Sequence, residues 1–267
     1  SGDLHNAIDD NLLGSNFFFF FRGNLGDDFL SGKNGEDQLY GGSGNDTIFG
    51  GAGDDVLSPG LGGGMVDGGH GQDTIVFDGS EGGVSLWQQI GVVEIGSDQL
   101  RIEGIEKFFG TEQSDNFSIF SADHTFWGKG GNDTFNIHSG TNINVDSGSG
   151  DDFIFIMSGT NNYIDGGSGN DDFIDYTGGN TFSGSPGDDC FVFLGSSENT
   201  FEFKIGDGHD EINGFKVGRD ALKIFGGHQD QIGILQSEGG TTIELSLADS
   251  IFLVGVTTLT ISDIDFI

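Results

Sequence analysis

The chain has 267 residues, 51 of them glycine, and 43 acidic side chains against 9 lysines and arginines give a formal charge of −34. That charge repels nucleic acid and anionic membrane surfaces, so neither is an expected partner. The single cysteine, Cys190, excludes an internal disulfide framework, and the longest apolar run, Phe17–Phe21, is far short of the ~20 residues of a membrane helix. The N-terminal Ser1-Gly2-Asp3 opens no basic-then-apolar signal peptide. Glycine-rich acidic composition with 34% hydrophobic residues leaves two readings, a disordered tail or a fold that bound cations hold together.

In chain order, a nine-residue pattern Gly-Gly-x-Gly-x-Asp-x-apolar-x decides between them. It is faint over 5–13, which keeps Asp10 and Leu12, and clear in 23–31 (GNLGDDFLS), 32–40 (GKNGEDQLY), 41–49 (GGSGNDTIF), 50–58 (GGAGDDVLS) and 68–76 (GGHGQDTIV). Position six holds Asp10, Asp28, Asp37, Asp46, Asp55 and Asp73, and position eight an apolar residue each time. Two copies depart. Phe19 takes the aspartate position of 14–22 inside the Phe17–Phe21 run, and Gly64 takes it in 59–67, so both sites are expected to be lost. As a strand, the phenylalanine run must turn two or three rings outward, a surface that could meet a further N-terminal domain, let the chain self-associate, or be an engineered feature.

Residues 77–109 break the phase and read as strands with a hairpin, through VSLW, VVEI and QLRIEGIEKFFG, suited to capping a roll. A second tract starts at Gly110. Asp115, Asp133, Asp152, Asp171 and Asp189 recur every 18 or 19 residues, each followed two positions on by an apolar side chain. The alternate turns, such as SGTNINV from Ser139 and SGTNNYI from Ser158, lack the aspartate, so cations are expected on one edge only. Asp210 extends that edge after a three-residue insertion. Cys190 falls at the outward-facing position seven, where intermolecular pairing is conceivable. Residues 205–267 close on the acidic-apolar Asp263-Ile264-Asp265-Phe266-Ile267.

The chemistry of this pattern follows from its parts. Glycine permits positive-φ turns that aim carbonyls inward, aspartate adds charge, and Ca²⁺ takes six to eight oxygens at about 2.3–2.6 Å. The apolar residue two places on faces the interior of a short strand. Two nonapeptides make one coil, so turns 18 apart stack with a cation between them, and several repeats must form together.

These residues resemble the repeats-in-toxin (RTX) family of hemolysin-type calcium-binding nonapeptide repeats. The resemblance implies an all-β parallel β-roll, or β-solenoid, of two calcium-bound rolls with a capping β segment between them and a C-terminal β-rich cap. The corresponding divisions are a first roll over 1–76, a connecting segment over 77–109, a second roll over 110–204, and a cap with an uncleaved type I secretion signal over 205–267. Carried over by position, calcium sits between Asp10 and Asp28, Asp28 and Asp46, Asp37 and Asp55, and Asp55 and Asp73. In the second roll it sits between Asp115 and Asp133, Asp133 and Asp152, Asp152 and Asp171, Asp171 and Asp189, and Asp189 and Asp210. That gives about eight or nine ions. The implied partners are calcium and the type I secretion machinery of a Gram-negative bacterium, with the folded chain outside the cell. No HExxH helix, GxSxG elbow or P-loop occurs, so the expected role is non-catalytic. The alternatives are an adhesive module binding a cell surface, glycan or ice through the Thr141-Asn142 and Thr160-Asn161 turns, or the non-catalytic end of a secreted protease, lipase or epimerase.

Overall fold

The computed structural model describes residues 9–77 and 82–267, so the first positions of the 5–13 repeat lie outside it. Contacts divide the chain into two compact units. One runs to Ser118 and takes in His124–Gly128; the other is Ile119–Asp123 with Lys129–Ile267.

The repeat phase sets the strands of the first unit. These are β1 (Asn11–Leu13), β2 (Phe20–Leu25), β3 (Phe29–Asn34), β4 (Gln38–Ser43), β5 (Asp46–Ala52), β6 (Val56–Leu61), β7 (Gly64–His70) and β8 (Thr74–Val76). They alternate between two sheets, β1-β3-β5-β7 and β2-β4-β6-β8, every neighbour parallel. Leu12 pairs with Leu30, Leu30 with Ile48 and Ile48 with Val66, while Phe21, Leu39, Leu57 and Ile75 align in the other sheet. Each step is 18 residues, one coil. Position eight therefore points between the sheets, and Leu30, Leu39, Ile48, Leu57, Val66 and Ile75 are all 0% exposed. Side chains alternate across a strand, so positions seven and nine, on either side of position eight, face away from the interior.

Next come β9 (Val84–Trp87), β10 (Val92–Ile95) and β11 (Asp98–Glu103), an antiparallel meander. The sheet of β8 continues directly to β12 (Lys107–Phe109), and the meander joins the other sheet, with β9 against β13 (Asn116–Ile119) and β11 against β7. It covers the edge of β7 by hydrogen bonding in line with it, in parallel register from Leu100↔Gly64 to Glu103↔Asp67. Capping here is strand pairing, which leaves no open edge on β7. Beyond β12 lies β14 (Thr125–Trp127), where Trp127 stacks on Phe109 at 4.2 Å.

The second unit winds the same way through β15 (Thr134–Ile137), β16 (Asn144–Asp146), β17 (Phe153–Ile156), β18 (Tyr163–Asp165), β19 (Asp172–Asp175), β20 (Thr181–Ser183), β21 (Cys190–Phe193), β22 (Thr200–Lys204), β23 (His209–Asn213) and β24 (Ala221–Phe225). Odd strands form one parallel sheet and even strands the other. Phenylalanine replaces leucine as the filler. Phe173 stacks on Phe191 at 4.5 Å and meets Phe182 edge-on at 6.0 Å, so rings lock the two sheets together. The hairpin strands β25 (Gly233–Gln236), β26 (Gly240–Glu244) and β27 (Ser250–Val254) add antiparallel pairs, with β27 parallel to β23. The closing residues form β28 (Ile264–Phe266), parallel to β24. The C-terminal tail is thus the last strand of its sheet.

Outward positions fall where the phase sends them. Phe17, Phe18 and Phe20 are 75%, 61% and 53% exposed, and Cys190 is half-buried on the outer face beside Asp172 and Glu211. Position two of each turn needs a positive φ. Gly42 and Gly51 supply it at 114° and 120°, but Lys33 holds it at 78° with a side chain attached. A non-glycine residue there carries a steric penalty. Lys33→Gly is therefore expected to stabilise the first unit by about 1 kcal/mol, read as a higher urea midpoint at saturating calcium. An unchanged or lower midpoint would contradict the strain.

Candidate metal centre

The turn aspartates form ladders along the roll edges. In the first unit the Asp10 N–H donates to Asp28 Oδ1 at 2.6 Å and the Asp28 N–H to Asp46 Oδ1 at 2.9 Å. On the opposite edge the Phe19 N–H donates to Asp37 Oδ1, Asp37 to Asp55 and Asp55 to Asp73, at 2.7, 2.7 and 2.9 Å. In the second unit Asp133 donates to Asp152, Asp152 to Asp171, Asp171 to Asp189 and Asp189 to Asp210, at 2.7 to 3.1 Å. The extra residues before Asp210 are taken up at Lys204–Asp207, where Asp207 Oδ2 accepts the Lys204 N–H at 2.6 Å.

One carboxylate oxygen is thus used, and the other is left over. Among the described residues, Oδ2 of Asp28, Asp37, Asp46, Asp55, Asp73, Asp133, Asp152, Asp171, Asp189 and Asp210 is buried with no hydrogen-bond partner. A buried unpaired carboxylate oxygen is too unfavourable to recur ten times by accident. In the first unit each points into a small cradle. A methyl group built on Gly41 would strike Asp46 Oδ2 and lie 2.7 Å from the Pro59 carbonyl oxygen; one on Gly50 would strike Asp55 Oδ2 and lie 2.6 Å from the Gly68 oxygen. Carboxylate and main-chain carbonyl oxygens of successive coils converge there. The glycine leaves the space they aim into.

Electrostatics agrees. Burial, partly offset by the donated N–H, pushes the carboxyls of Asp46, Asp55, Asp73 and Asp152 up to about 6 and that of Asp171 up to about 8. Burial raises Asp28, Asp37, Asp189 and Asp210 as well, with neighbouring carboxylates adding to Asp28, Asp189 and Asp210. These sites favour a proton or a cation over a bare negative charge. The donor set is all oxygen, and among the described residues no cluster of three or more His, Cys, Asp or Glu side chains could hold a metal. Single carboxylates completed by carbonyls suit a hard ion such as Ca²⁺, and nothing here suits zinc.

Two of the expected residues differ from the rest. Asp115 has both oxygens engaged: Oδ1 accepts from Val84 N–H and the Thr111 hydroxyl, and Oδ2 from Thr111 N–H at 2.7 Å. Asp10, at the weak first repeat, is only half-buried. Phe19 retains the N–H that Asp37 accepts but offers no oxygen, and Gly64 offers none.

Other ladder residues escaped the sequence reading. Position five runs a second ladder in the reverse sense, in which Asp27 Oδ1 accepts the Asn45 N–H at 2.7 Å and Asp151 Oδ1 the Asn170 N–H at 2.9 Å. The alternate edge of the second unit carries asparagine in the aspartate role. The Ile143 N–H donates to Asn162 Oδ1, Asn162 to Asn180, Asn180 to Asn199 and Asn199 to Asp220, at 2.9 to 3.2 Å. The first three of these bonds are accepted by neutral amides and the last by the Asp220 carboxylate, and Asn162 Nδ2 is left unpaired. The asparagines at positions two before the strand apolar residues were the available signal. In the SGTN turns, Asn161 Nδ2 donates to Asn142 Oδ1 and Asn142 Nδ2 to Asp123 Oδ1, so those amides bond along their own column.

Comparison with known proteins follows the same line. The RTX calcium-binding nonapeptide repeat model matches residues 22–62 and 158–174. No curated protein matches the sequence. Among solved structures, the chain is similar to the extracellular lipase LipA from Serratia marcescens, at 15% identity over 96% of this chain and 40% of that one, with a TM-score of 0.30. The chain thus spans less than half the length of that protein. With the repeats matched and the parallel rolls built on them, the chain carries RTX calcium-binding nonapeptide repeats.

Proposed function

We propose that this chain is a non-catalytic, extracellular calcium-binding module that is exported unfolded through a type I secretion channel and folds when its ladders fill with calcium. The observation that carries it is the row of ten buried Oδ2 atoms without a hydrogen-bond donor. Without a cation, each would bring a buried negative charge beside another, on a chain already at −34. With one, the same oxygens tie successive coils together, so binding and folding are one step. About eight or nine ions would offset roughly half of the charge. Sites of the extracellular class, 10⁻⁴–10⁻³ M, stay empty at cytosolic calcium and fill outside. The acidic-apolar tail ending at Ile267 is the candidate export signal under this reading, and it becomes strand β28 once the chain folds.

Far-UV circular dichroism in excess chelator, then after calcium addition, with calorimetric counting of ions, tests the reading. A disordered spectrum turning to a β spectrum with calcium is the expected result. A spectrum equally β-rich in chelator overturns it.

A further inference from the structure

The repeat phase ends at Val76, and the meander then separates the last aspartate of that edge from anything on its period. The ladder nevertheless continues. After the meander, β11 and β12 make a regular strand pair beside β7 and β8, and the turn between them, Gly104-Ile105-Glu106, stacks on the turn that ends in Asp73. Lys107 aligns with Thr74, which puts Glu106 in register with Asp73. The Asp73 N–H donates to Glu106 Oε2 at 2.8 Å, across 33 residues, as the Asp55 N–H donates to Asp73 Oδ1 at 2.9 Å across 18. The Lys107 N–H donates to the Asp73 carbonyl at 3.0 Å, matching Thr74 to Asp55 at 2.8 Å.

The oxygens repeat as well. A methyl group on Gly50 would lie 2.6 Å from the Gly68 carbonyl oxygen; one on Gly68 would strike the Gly104 carbonyl oxygen and lie 2.7 Å from Asp73 Oδ2. Gly104 therefore presents its carbonyl where Gly68 does one coil earlier. Asp73 is 0% exposed, and its Oδ2, aimed into this space, has no hydrogen-bond partner. Glutamate is one methylene longer than aspartate, which suits a three-residue turn standing in for the six-residue turn Gly68–Asp73.

We infer that Asp73, the Gly104 carbonyl and Glu106 form one further Ca²⁺ site, at the junction of the meander and the first roll. It rests on the calcium reading above, and it ties the inserted meander to the calcium-loaded edge. The meander is then locked in place by the same ion that closes the roll.

Calcium titration of the full chain by calorimetry, beside Glu106→Gln, tests this. Glutamine keeps an oxygen for the Asp73 N–H but removes the charge. The expected result is one ion fewer per chain in E106Q, with β-sheet circular dichroism retained at saturating calcium. The same count with unchanged affinities overturns the site and leaves Glu106 as a hydrogen-bond acceptor. A wild-type chain that takes up no calcium overturns the general reading instead, so the two failures are distinct. If E106Q does not fold, Glu106→Asp, with the charge kept but the reach shortened, is titrated the same way. A weakened or missing site supports the inference, and an unchanged count overturns it.

Discussion

Asp171→Asn is expected to strip calcium from the middle of the second unit's ladder while preserving its backbone bond. Asp171 Oδ1 accepts the Asp152 N–H at 2.8 Å, and the Asp171 N–H donates to Asp189 Oδ1 at 2.8 Å, so this side chain lies between two stacked turns. An asparagine oxygen can make the first of these bonds, as Asn180 does for the Asn162 N–H at 3.1 Å. It cannot replace Oδ2 or the charge. The calcium count should therefore fall in D171N, and protection from hydrogen exchange should drop through residues 133–213 while the amides of 28–75 keep theirs. Asp171→Ala should be worse. It also leaves the buried Asp152 N–H without an acceptor, a loss of about 1–3 kcal/mol, and a solenoid passes such a loss to its nearest neighbours. A D171N chain that binds the full complement of calcium would falsify the assignment of this ladder to the metal. The asparagine edge shows the difference, because Asn180 keeps that backbone bond and turns its Nδ2 to Asp175 Oδ2 at 3.2 Å.

That asparagine edge marks where sequence reading stopped. The roll itself was legible because the nonapeptide phase fixes both the strand period and the interior residue: Leu39, Leu57 and Ile75 stack one coil apart as their spacing requires. The aspartates were legible for the same reason. Asn162, Asn180 and Asn199 were passed over because the search was for charge, whereas the fold asks position six first for an oxygen that can accept an N–H. Charge is the second demand, and the aspartate ladders are where it is met. Glu106 was beyond reach for another reason. It joins the ladder through pairing of β11 with β7 and β12 with β8, across an insertion whose length carries no period. The Asp115 carboxylate kept the spacing of a ligand, yet nothing in the spacing reveals that Thr111 occupies both its oxygens.

Calcium uptake should depend steeply on pH, in the direction set by burial. Aspartates with an ordinary value of 3.8 are raised to about 6 at Asp46, Asp55, Asp73 and Asp152, and to about 8 at Asp171, when folded without metal. A group whose folded value is raised supports the fold fully below its unfolded value and loses that support as pH rises through the folded value. In chelator, any residual structure should therefore be greatest near pH 4 and least above pH 8. With calcium the order reverses, because the ion must displace those protons. Lowering the pH from 8 to 6 should raise the half-saturating calcium concentration, by on the order of tenfold per pH unit for each proton released per ion bound. Asp171 and its neighbours should respond at higher pH than Asp46, Asp55 and Asp73 of the first unit, since burial raises Asp171 to about 8 and those three to about 6. Calcium titrations followed by circular dichroism at pH 6, 7 and 8 provide the measurement. A midpoint constant across that range would mean that the ion does not compete for the buried carboxylates, and the ladders would lose their claim to it.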